Sequence, residues 1–151
     1  MSIDAELQSL LEDSGASRVT LRRETPGETF PVIAEALADG VFSIRDVHAP
    51  NMPGQPVVLR ALAGRQVVQD DCEAEFPDDE AFHVMLGMYG GMQAQIVTPI
   101  VSDGRTQAIV SLHQLGRTRA WTDADAARCG ACADRVAALL GLTETYRCQA
   151  R

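Results

Sequence analysis

Two runs of aliphatic and β-branched residues dominate the stretch from residue 93 to residue 114, QAQIVTPIVSDGRTQAIVSLHQ. They flank the segment SDGR at residues 102–105, and an Asp-Gly pair between two such runs is a strong signal for a tight turn between strands. The pattern therefore predicts a central β-hairpin over residues 93–114.

Apolar residues at helical spacing predict three helices. The first covers about residues 2–13, where Ser2 can cap the start and Gly15 can end it. The second covers about residues 78–88 and stops at two consecutive glycines. The last covers about residues 122–142 and opens with TDAD, which resembles a capping box with Asp in the usual place of Glu.

Shorter segments predict further strands. Residues 18–23 (RVTLRR) alternate as a strand does, and residues 66–70 form a second short extended run. Residues 30–37 (FPVIAEAL) fit a helix or a strand, and we favour a strand because the preceding Pro-Gly turn can return the chain beside the first strand. Residues 57–63 fit either a short helix or a strand, and residues 40–44 are weakly extended.

The order of these elements predicts an α+β fold with an antiparallel sheet, because the strands come as hairpins and not as regular strand-helix-strand units. No GxGxxG motif follows a first strand and no GxxxxGKS/T loop occurs, which disfavours a doubly wound nucleotide-binding fold. With no internal repeat or linker in its 151 residues, the chain is expected to form one domain over residues 1–151.

Composition and charge narrow the function classes. The net charge of -8 argues against nucleic acid as a partner, because phosphate binding needs a basic surface. No run approaches the roughly 20 apolar residues that span a bilayer, and the acidic N-terminus does not resemble a signal peptide. We therefore predict a cytoplasmic protein whose four cysteines are reduced.

Polar side chains on two predicted strands form the first candidate site. Alternation places Ser111 and His113 on one face of the hairpin, and it places Arg18, Thr20 and Arg22 on one face of the first strand. If the intervening aliphatic residues pack under the helices, these five side chains share the opposite face. Guanidinium groups bind carboxylates and phosphates, and a nearby histidine adds a hydrogen bond, so the set suits a small anionic ligand such as an organic acid.

An alternative interpretation of these strands is equally compatible with the pattern. A charged strand face is common at solvent, where the arginines would pair with acidic neighbours. The acidic neighbours are Glu24, Glu28 and Glu35.

A second group of candidates is apolar. Phe82, Met85 and Tyr89 lie on one side of the helix predicted over residues 78–88, where flexible and aromatic side chains can line an adaptable pocket. Trp121, before the last helix, can close the pocket edge. A stripe of this kind more often belongs to the core, and a lone tryptophan usually packs against its neighbours.

The cysteines and histidines predict no catalytic or metal site. Cys129 and Cys132 form a CxxC, but they fall on the buried stripe of the last helix, where cysteine behaves as a small hydrophobic residue. Acidic neighbours raise the expected pKa of Cys72. The histidine spacing matches no metal motif, so we predict no catalytic residue, no metal and no cofactor, and enzyme activity stays open.

The chain resembles the GAF domain family. The resemblance is carried by SRVTLR at residues 17–22, VVQDD at residues 67–71, the hairpin segments IVTPI, DGR and AIVSLH, and the WTDAD that opens the last helix. It covers nearly the whole chain, although these motifs are architectural.

The resemblance implies a six-stranded antiparallel sheet, related to the profilin and PAS folds, with terminal helices on one face and a ligand pocket on the other. GAF domains are sensory and regulatory modules that bind cyclic nucleotides, bilins, haem, oxoacids or aromatic effectors. Many of them dimerise through their terminal helices, so a homodimer is expected here. The length suggests a free-standing GAF protein. The alignment of Arg18, Arg22 and His113 on one face suggests that it binds a small anionic organic effector.

Two alternatives to a binding module follow from the same resemblance. The free methionine-(R)-sulfoxide reductases are GAF enzymes of similar size, but their Gly-Val-Cys-Gly-type segment has no counterpart here, and Cys72 alone lies near the relevant region. A structural dimerisation module would pair its terminal helices with a second copy. The residues concerned are Ile3, Leu7, Leu10, Val136, Leu139 and Leu140.

Overall fold

The computed structural model describes residues 1–142 and the backbone of residues 148–150. The helices are α1 (Ile3–Ser14), α2 (Pro56–Leu62), α3 (Glu80–Met88) and α4 (Asp123–Leu139). The strands are β1 (Arg18–Arg23), β2 (Val32–Leu37), β3 (Arg65–Gln69), β4 (Met92–Ser102), β5 (Arg105–Leu115) and β6 (Cys148–Ala150). Two short 3-10 turns occupy Met52–Gly54 and Cys72–Ala74.

The strands form a sheet in the order β2-β1-β5-β4-β3-β6. The first five in the chain pair antiparallel, whereas the three-residue β6 pairs parallel with β3. The expectation of six antiparallel strands is therefore wrong in this detail, because the antiparallel sheet has five. Parallel pairing needs a long crossover connection, and the chain between β3 and β6, which includes α3, β4, β5 and α4, supplies one.

The central hairpin is confirmed. β4 and β5 are 11 residues each, and they are joined by Asp103 and Gly104, with φ angles of 55° and 75°. Two consecutive left-handed residues are what a type I′ turn requires, and its twist matches that of the flanking strands.

The segments that the pattern left ambiguous have definite structures. Residues 57–62 are helical within α2, and the strand favoured over residues 30–37 is present as β2 over Val32–Leu37. Residues 40–44 form no strand, contrary to the weak extended prediction. The backbone N–H of Ile44 does not bond to a neighbouring strand; it donates to Oε2 of the Glu35 side chain at 2.9 Å.

Each face of the sheet carries its own core. Val19, Leu21, Val110 and Leu112 are buried on one face with residues of α1 and α4. A second cluster on the other face packs against α2 and α3. The alternation of β1 and β5 therefore separates helix-packing residues from a face that is free to build a site, as the sequence predicted.

The apolar stripes of the terminal helices are used inside this chain. Leu7, Leu10 and Val136 belong to the core between the helices and the sheet, whereas Leu139 is 42% exposed. The stripes that suggested a homodimer are thus largely occupied by internal packing. None of the helices in residues 1–142 has the length and apolarity needed to cross a membrane.

Candidate functional site

A cavity lies between the sheet and the segment that carries α2 and α3. Its empty space is about 530 Å³, including the volume at its open mouth. Its walls are mainly apolar, and their residues include Met52, Val57, Val58, Ala61, Met85, Val97 and Ile109.

Polar side chains from the central hairpin form the floor of this cavity. Gln95 comes from β4, and Ser111 and His113 come from β5. Gln95 and His113 are directly opposite each other in the register of the two strands, and all three side chains are at most 5% exposed. The floor is therefore polar but largely removed from water, which strengthens any hydrogen bond formed there.

His113 is held in one tautomer by a buried arginine. A guanidinium N–H of Arg18 donates to Nδ1 of His113, with 3.2 Å between the nitrogens. Because arginine can only donate, Nδ1 must accept, and the ring proton of the neutral histidine lies on Nε2. Burial, together with the charges of Arg18 and Arg22, holds the pKa of His113 well below its usual range. His113 is therefore a neutral ring with a fixed N–H donor.

Arg18 itself has a structural role. It is fully buried, and besides His113 it donates to the backbone carbonyls of Tyr89 and Phe42, each at 3.1 Å. These bonds join β1 to the end of α3 and to the loop after β2. Arg18 does not line the cavity, so it orients His113 without being available to a ligand.

Arg22 is the cation at the cavity wall. It donates to the carbonyl of Phe30 at 3.0 Å and to the hydroxyl of Tyr89 at 2.8 Å. Among the described residues it has no carboxylate within ion-pair distance. Two of its five N–H groups are thus used by neutral oxygens, and its charge has no carboxylate partner among the described residues.

Phe30 adopts a backbone conformation that is unusual for an aromatic residue. Its φ of 41° lies in the left-handed region, where a bulky side chain is strained. Phe30 also lines the cavity, and its carbonyl accepts the hydrogen bond from Arg22. Strain of this kind concentrates at ligand sites.

Tyr89 contacts both Arg22 and His113. Its ring stacks on that of His113 with 5.8 Å between centroids, and its hydroxyl accepts from Arg22. Burial raises the pKa of Tyr89, so the phenol stays protonated and retains its own O–H donor.

A second hollow, the outer hollow, adjoins the cavity. It holds about 890 Å³ of empty space and shares Arg22, Thr29 and Met52 with the cavity. Arg45 and His48 also line it, with Glu28 as the one lining carboxylate, and Nε of Arg45 lies 4.0 Å from Oε1 of Glu35. A chain with a net charge of -8 thus has three basic side chains in a hollow that shares lining residues with the apolar cavity.

The structure brings together five of the residues predicted from the sequence. Arg22, Met85, Tyr89, Ser111 and His113 all line the cavity.

Four other predicted residues lie elsewhere. Arg18 and Thr20 are buried on the same face of β1 without lining the cavity, and Phe82 packs edge-on against Phe76 at 5.4 Å. Trp121 lies in the core on the helix side of the sheet, where its Nε1–H donates to the carbonyl of Gln69 at 2.9 Å. Trp121 therefore does not close the pocket edge, because the sheet separates it from the cavity.

Gln55, Gln95 and Phe30 also line the cavity, although they were not among the residues predicted from the sequence. Gln95 could have been found, because alternation along the predicted hairpin places it on the same face as His113 once the turn fixes the register. Gln55 and Phe30 lie in irregular segments whose path depends on tertiary packing, so no local pattern marks them.

The described thiols are not placed for chemistry. Cys72, Cys129 and Cys132 are free and fully buried. Burial raises the pKa of Cys72 and Cys129 to about 12 and that of Cys132 to about 11, so almost no thiolate forms at neutral pH. The side chain of Cys148 lies outside the described residues. Within the described part of the chain, no group of three acidic, histidine or cysteine side chains could hold a metal ion.

Comparison with known proteins identifies the family. The model of the GAF domain family matches residues 2–140, so the chain belongs to the GAF domain family. A search of curated proteins gives no significant match.

Solved structures with the same fold include light-sensing GAF domains. A GAF domain of Synechocystis sp. PCC6803 in its photoproduct state has a TM-score of 0.75 and 16% identity, covering 91% of this chain and 90% of that one. The blue-light-absorbing form of the Thermosynechococcus elongatus PixJ GAF domain has a TM-score of 0.69 and 19% identity, covering 92% and 87%. A phycocyanobilin-bound GAF domain of a cyanobacterial phytochrome has a TM-score of 0.75 and 16% identity, covering 91% and 81%. At these identities the likeness concerns the fold.

Proposed function

We propose that this chain is a sensory GAF module that binds a small organic anion in the cavity above the central hairpin. The observation that carries the proposal is Arg22, a cation at the cavity wall whose described hydrogen-bond partners are both neutral oxygens. A cation in a partly buried site is costly without a counter-charge, and a ligand carboxylate or phosphate would supply it.

The basic residues of the outer hollow support an anionic effector. Arg22, Arg45 and His48 line this hollow with one lining carboxylate, Glu28, and Arg45 also lies 4.0 Å from Glu35. Basic side chains beside a binding cavity of an acidic protein concentrate anions locally and speed their association. The apolar walls of the cavity favour an effector with a hydrocarbon body, so inorganic phosphate alone would leave those walls without a partner.

The polar floor gives the anion a defined orientation. Nε2–H of His113 can donate to a ligand oxygen, because Nδ1 is already occupied by Arg18. Ser111 lies in the same floor and can donate through its hydroxyl. An acidic ligand held by Arg22 and His113 would thus place its charged end at the floor and its apolar body against α2 and α3.

Arg18 offers a path from ligand to surface. It bonds both His113 and the carbonyl of Phe42, whose side chain is 49% exposed. A ligand that shifts His113 would therefore alter the anchoring of the loop after β2. We propose this loop as the output surface of the sensor.

Calorimetry with a panel of short-chain and aromatic carboxylic acids, each paired with its neutral primary amide, tests the binding proposal. At least one acid should bind, and its amide should bind at least tenfold more weakly. Arg22→Gln should lower the affinity for the acid by tenfold or more, because it removes the charge-assisted hydrogen bonds. Arg23→Gln is the matched control, since Arg23 is the adjacent arginine and lines neither the cavity nor the outer hollow.

Two outcomes would contradict the proposal. If no acid in the panel binds the wild-type protein, the cavity does not select anions of this class. If Arg22→Gln and Arg23→Gln lower the affinity equally, the effect of Arg22 comes from the net charge and not from its place at the cavity.

The homodimer, the cytoplasmic location and the extent of the domain over residues 1–151 stay predictions. Sedimentation at several protein concentrations tests the first. Because the stripes of α1 and α4 pack internally, a dimer would need the exposed edge of these helices, and Leu139→Glu should then shift the equilibrium toward monomer.

A further inference from the structure

The wall of the cavity contains an amide whose oxygen has no partner. Gln55 is fully buried and lines the cavity, and its Oε1 accepts no hydrogen bond from the described residues. Most buried polar atoms in folded proteins are satisfied, so the unpartnered oxygen of this cavity-lining residue is a candidate acceptor for a donor carried by a ligand.

The orientation of this amide is fixed by its other end. Nε2 of Gln55 donates to the carbonyl of Pro50 at 2.9 Å. Rotating the amide by 180° would bring two oxygens together, so the nitrogen must face Pro50 and the oxygen is the end left without a partner.

Helix capping does not account for Gln55. It occupies the N-cap position of α2, but its side chain makes no capping hydrogen bond. Ser, Thr, Asp and Asn are the residues favoured at that position, because their short side chains reach the first helical N–H groups. A buried glutamine that does not cap the helix is therefore better explained by what it presents to the cavity.

We infer that the effector carries, besides its anionic group, a hydrogen-bond donor that Oε1 of Gln55 accepts. This inference rests on the proposed function and adds the ligand class to it. Arg22 and His113, which carry donors, and Gln55, which carries the unpartnered acceptor, line the same cavity, together with apolar residues such as Val57 and Met85. The geometry thus fits a hydrophobic carboxylic acid with an O–H or N–H group away from its carboxylate, such as a hydroxyaryl or indolyl acid.

The experiment compares pairs of acids that differ in that donor. The pairs are pentanoate with omega-hydroxypentanoate, phenylacetate with para-hydroxyphenylacetate, and naphthaleneacetate with indoleacetate. Each pair is titrated by calorimetry into wild-type protein, Gln55→Met and Arg22→Gln, with thermal melting to verify that each variant is folded.

For at least one pair, the wild-type protein should bind the donor-bearing acid on the order of five- to tenfold more tightly, the range expected for one hydrogen bond to a buried acceptor. Gln55→Met should remove this preference while still binding the acid that lacks the donor. Arg22→Gln should weaken both members of the pair.

The outcomes separate this inference from the proposed function. If acids bind but no pair shows a preference for the donor, or if the preference persists in Gln55→Met, the inference is wrong and the proposed function stands. A bound water molecule would then satisfy Gln55. If no acid binds, the proposed function fails and this inference fails with it. The wild-type comparison needs no variant, so it decides the question even if Gln55→Met does not fold.

Discussion

Arg18 and His113 lie directly opposite each other on β1 and β5, and the guanidinium of one donates to Nδ1 of the other across 3.2 Å. A fully buried cation thereby fixes the proton of a cavity-lining histidine on Nε2. The two residues have different roles. Arg18 joins β1 to β5, to the end of α3 and to the loop after β2, and His113 lines the cavity with an N–H donor.

Replacement of Arg18 should cost much more stability than replacement of an exposed arginine. Arg18→Met removes three buried hydrogen bonds and leaves two carbonyls without a donor, so we expect a loss of about 3 kcal/mol in the free energy of unfolding. Arg105→Met removes a largely exposed ion pair with Glu24 and should cost less than about 1 kcal/mol. Urea denaturation measures both, and equal losses would contradict a structural role for Arg18.

His113 should make stability depend on pH. Its pKa is lowered in the folded protein but is near 6.5 in the unfolded chain, so below that pH the unfolded chain binds the proton more readily. Stability is therefore complete above about pH 6.5 and falls as the pH drops, with a slope of up to about 1.4 kcal/mol per pH unit from this group.

His113→Gln is the control for that dependence, because glutamine keeps an acceptor for Arg18 but does not titrate. The difference in unfolding free energy between wild type and variant, measured from pH 7.5 to pH 5 at about 0.5-unit steps, should shrink as the pH falls. A difference that stays constant would show that His113 is not forced to remain neutral.

Substitution of Trp121 should affect stability but not ligand binding. Trp121→Phe removes the hydrogen bond to the carbonyl of Gln69, and we expect a loss of about 1–2 kcal/mol. Because Trp121 lies on the helix side of the sheet, affinity for a carboxylic acid ligand should change by less than about twofold. Tyr89→Phe, which removes an acceptor from Arg22, should lower that affinity more. Calorimetry that ranks the two variants in the opposite order would place the binding site elsewhere.

The described thiols should resist modification until the protein unfolds. Cys72, Cys129 and Cys132 are buried, and their pKa values are raised to about 12, 12 and 11. Reaction with an aromatic disulfide reagent at pH 7.5, followed by peptide mapping, should label them on the order of 100-fold more slowly than in denaturant. The reason is that the thiolate is the reacting form and that the reagent must also reach it. Rapid labelling of any of the three in the native protein would revive the thiol-enzyme alternative.

The strand faces were predictable because alternation is a local property. Once the Asp-Gly turn set the register of the hairpin, Ser111 and His113 had to share a face, and Val110 and Leu112 had to share the other. The pairing of β1 with β5 then brought Arg18 and Arg22 to the same side of the sheet as His113.

The interpretation of the arginines was not predictable in the same way. The sequence allowed them either to face a ligand or to pair with glutamates at solvent, and the structure has neither arrangement for Arg18. It is buried and bonds to carbonyls and a histidine, because the loop after β2 and the end of α3 cover it. The segments that cover Arg18 are distant from it in the sequence, so the alternation of residues along β1 could not predict its burial.

The sequence alone determined the hairpin, the strand faces, the terminal helices and the family, since each rests on turn chemistry, side-chain period or motifs along the chain. The tertiary structure decided which polar groups meet. It placed Trp121 on the far side of the sheet and brought Gln55 and Phe30 from irregular loops to the cavity wall. The physical reason is that periodicity fixes the face on which a residue lies, whereas a binding site depends on which covering segment packs over that face.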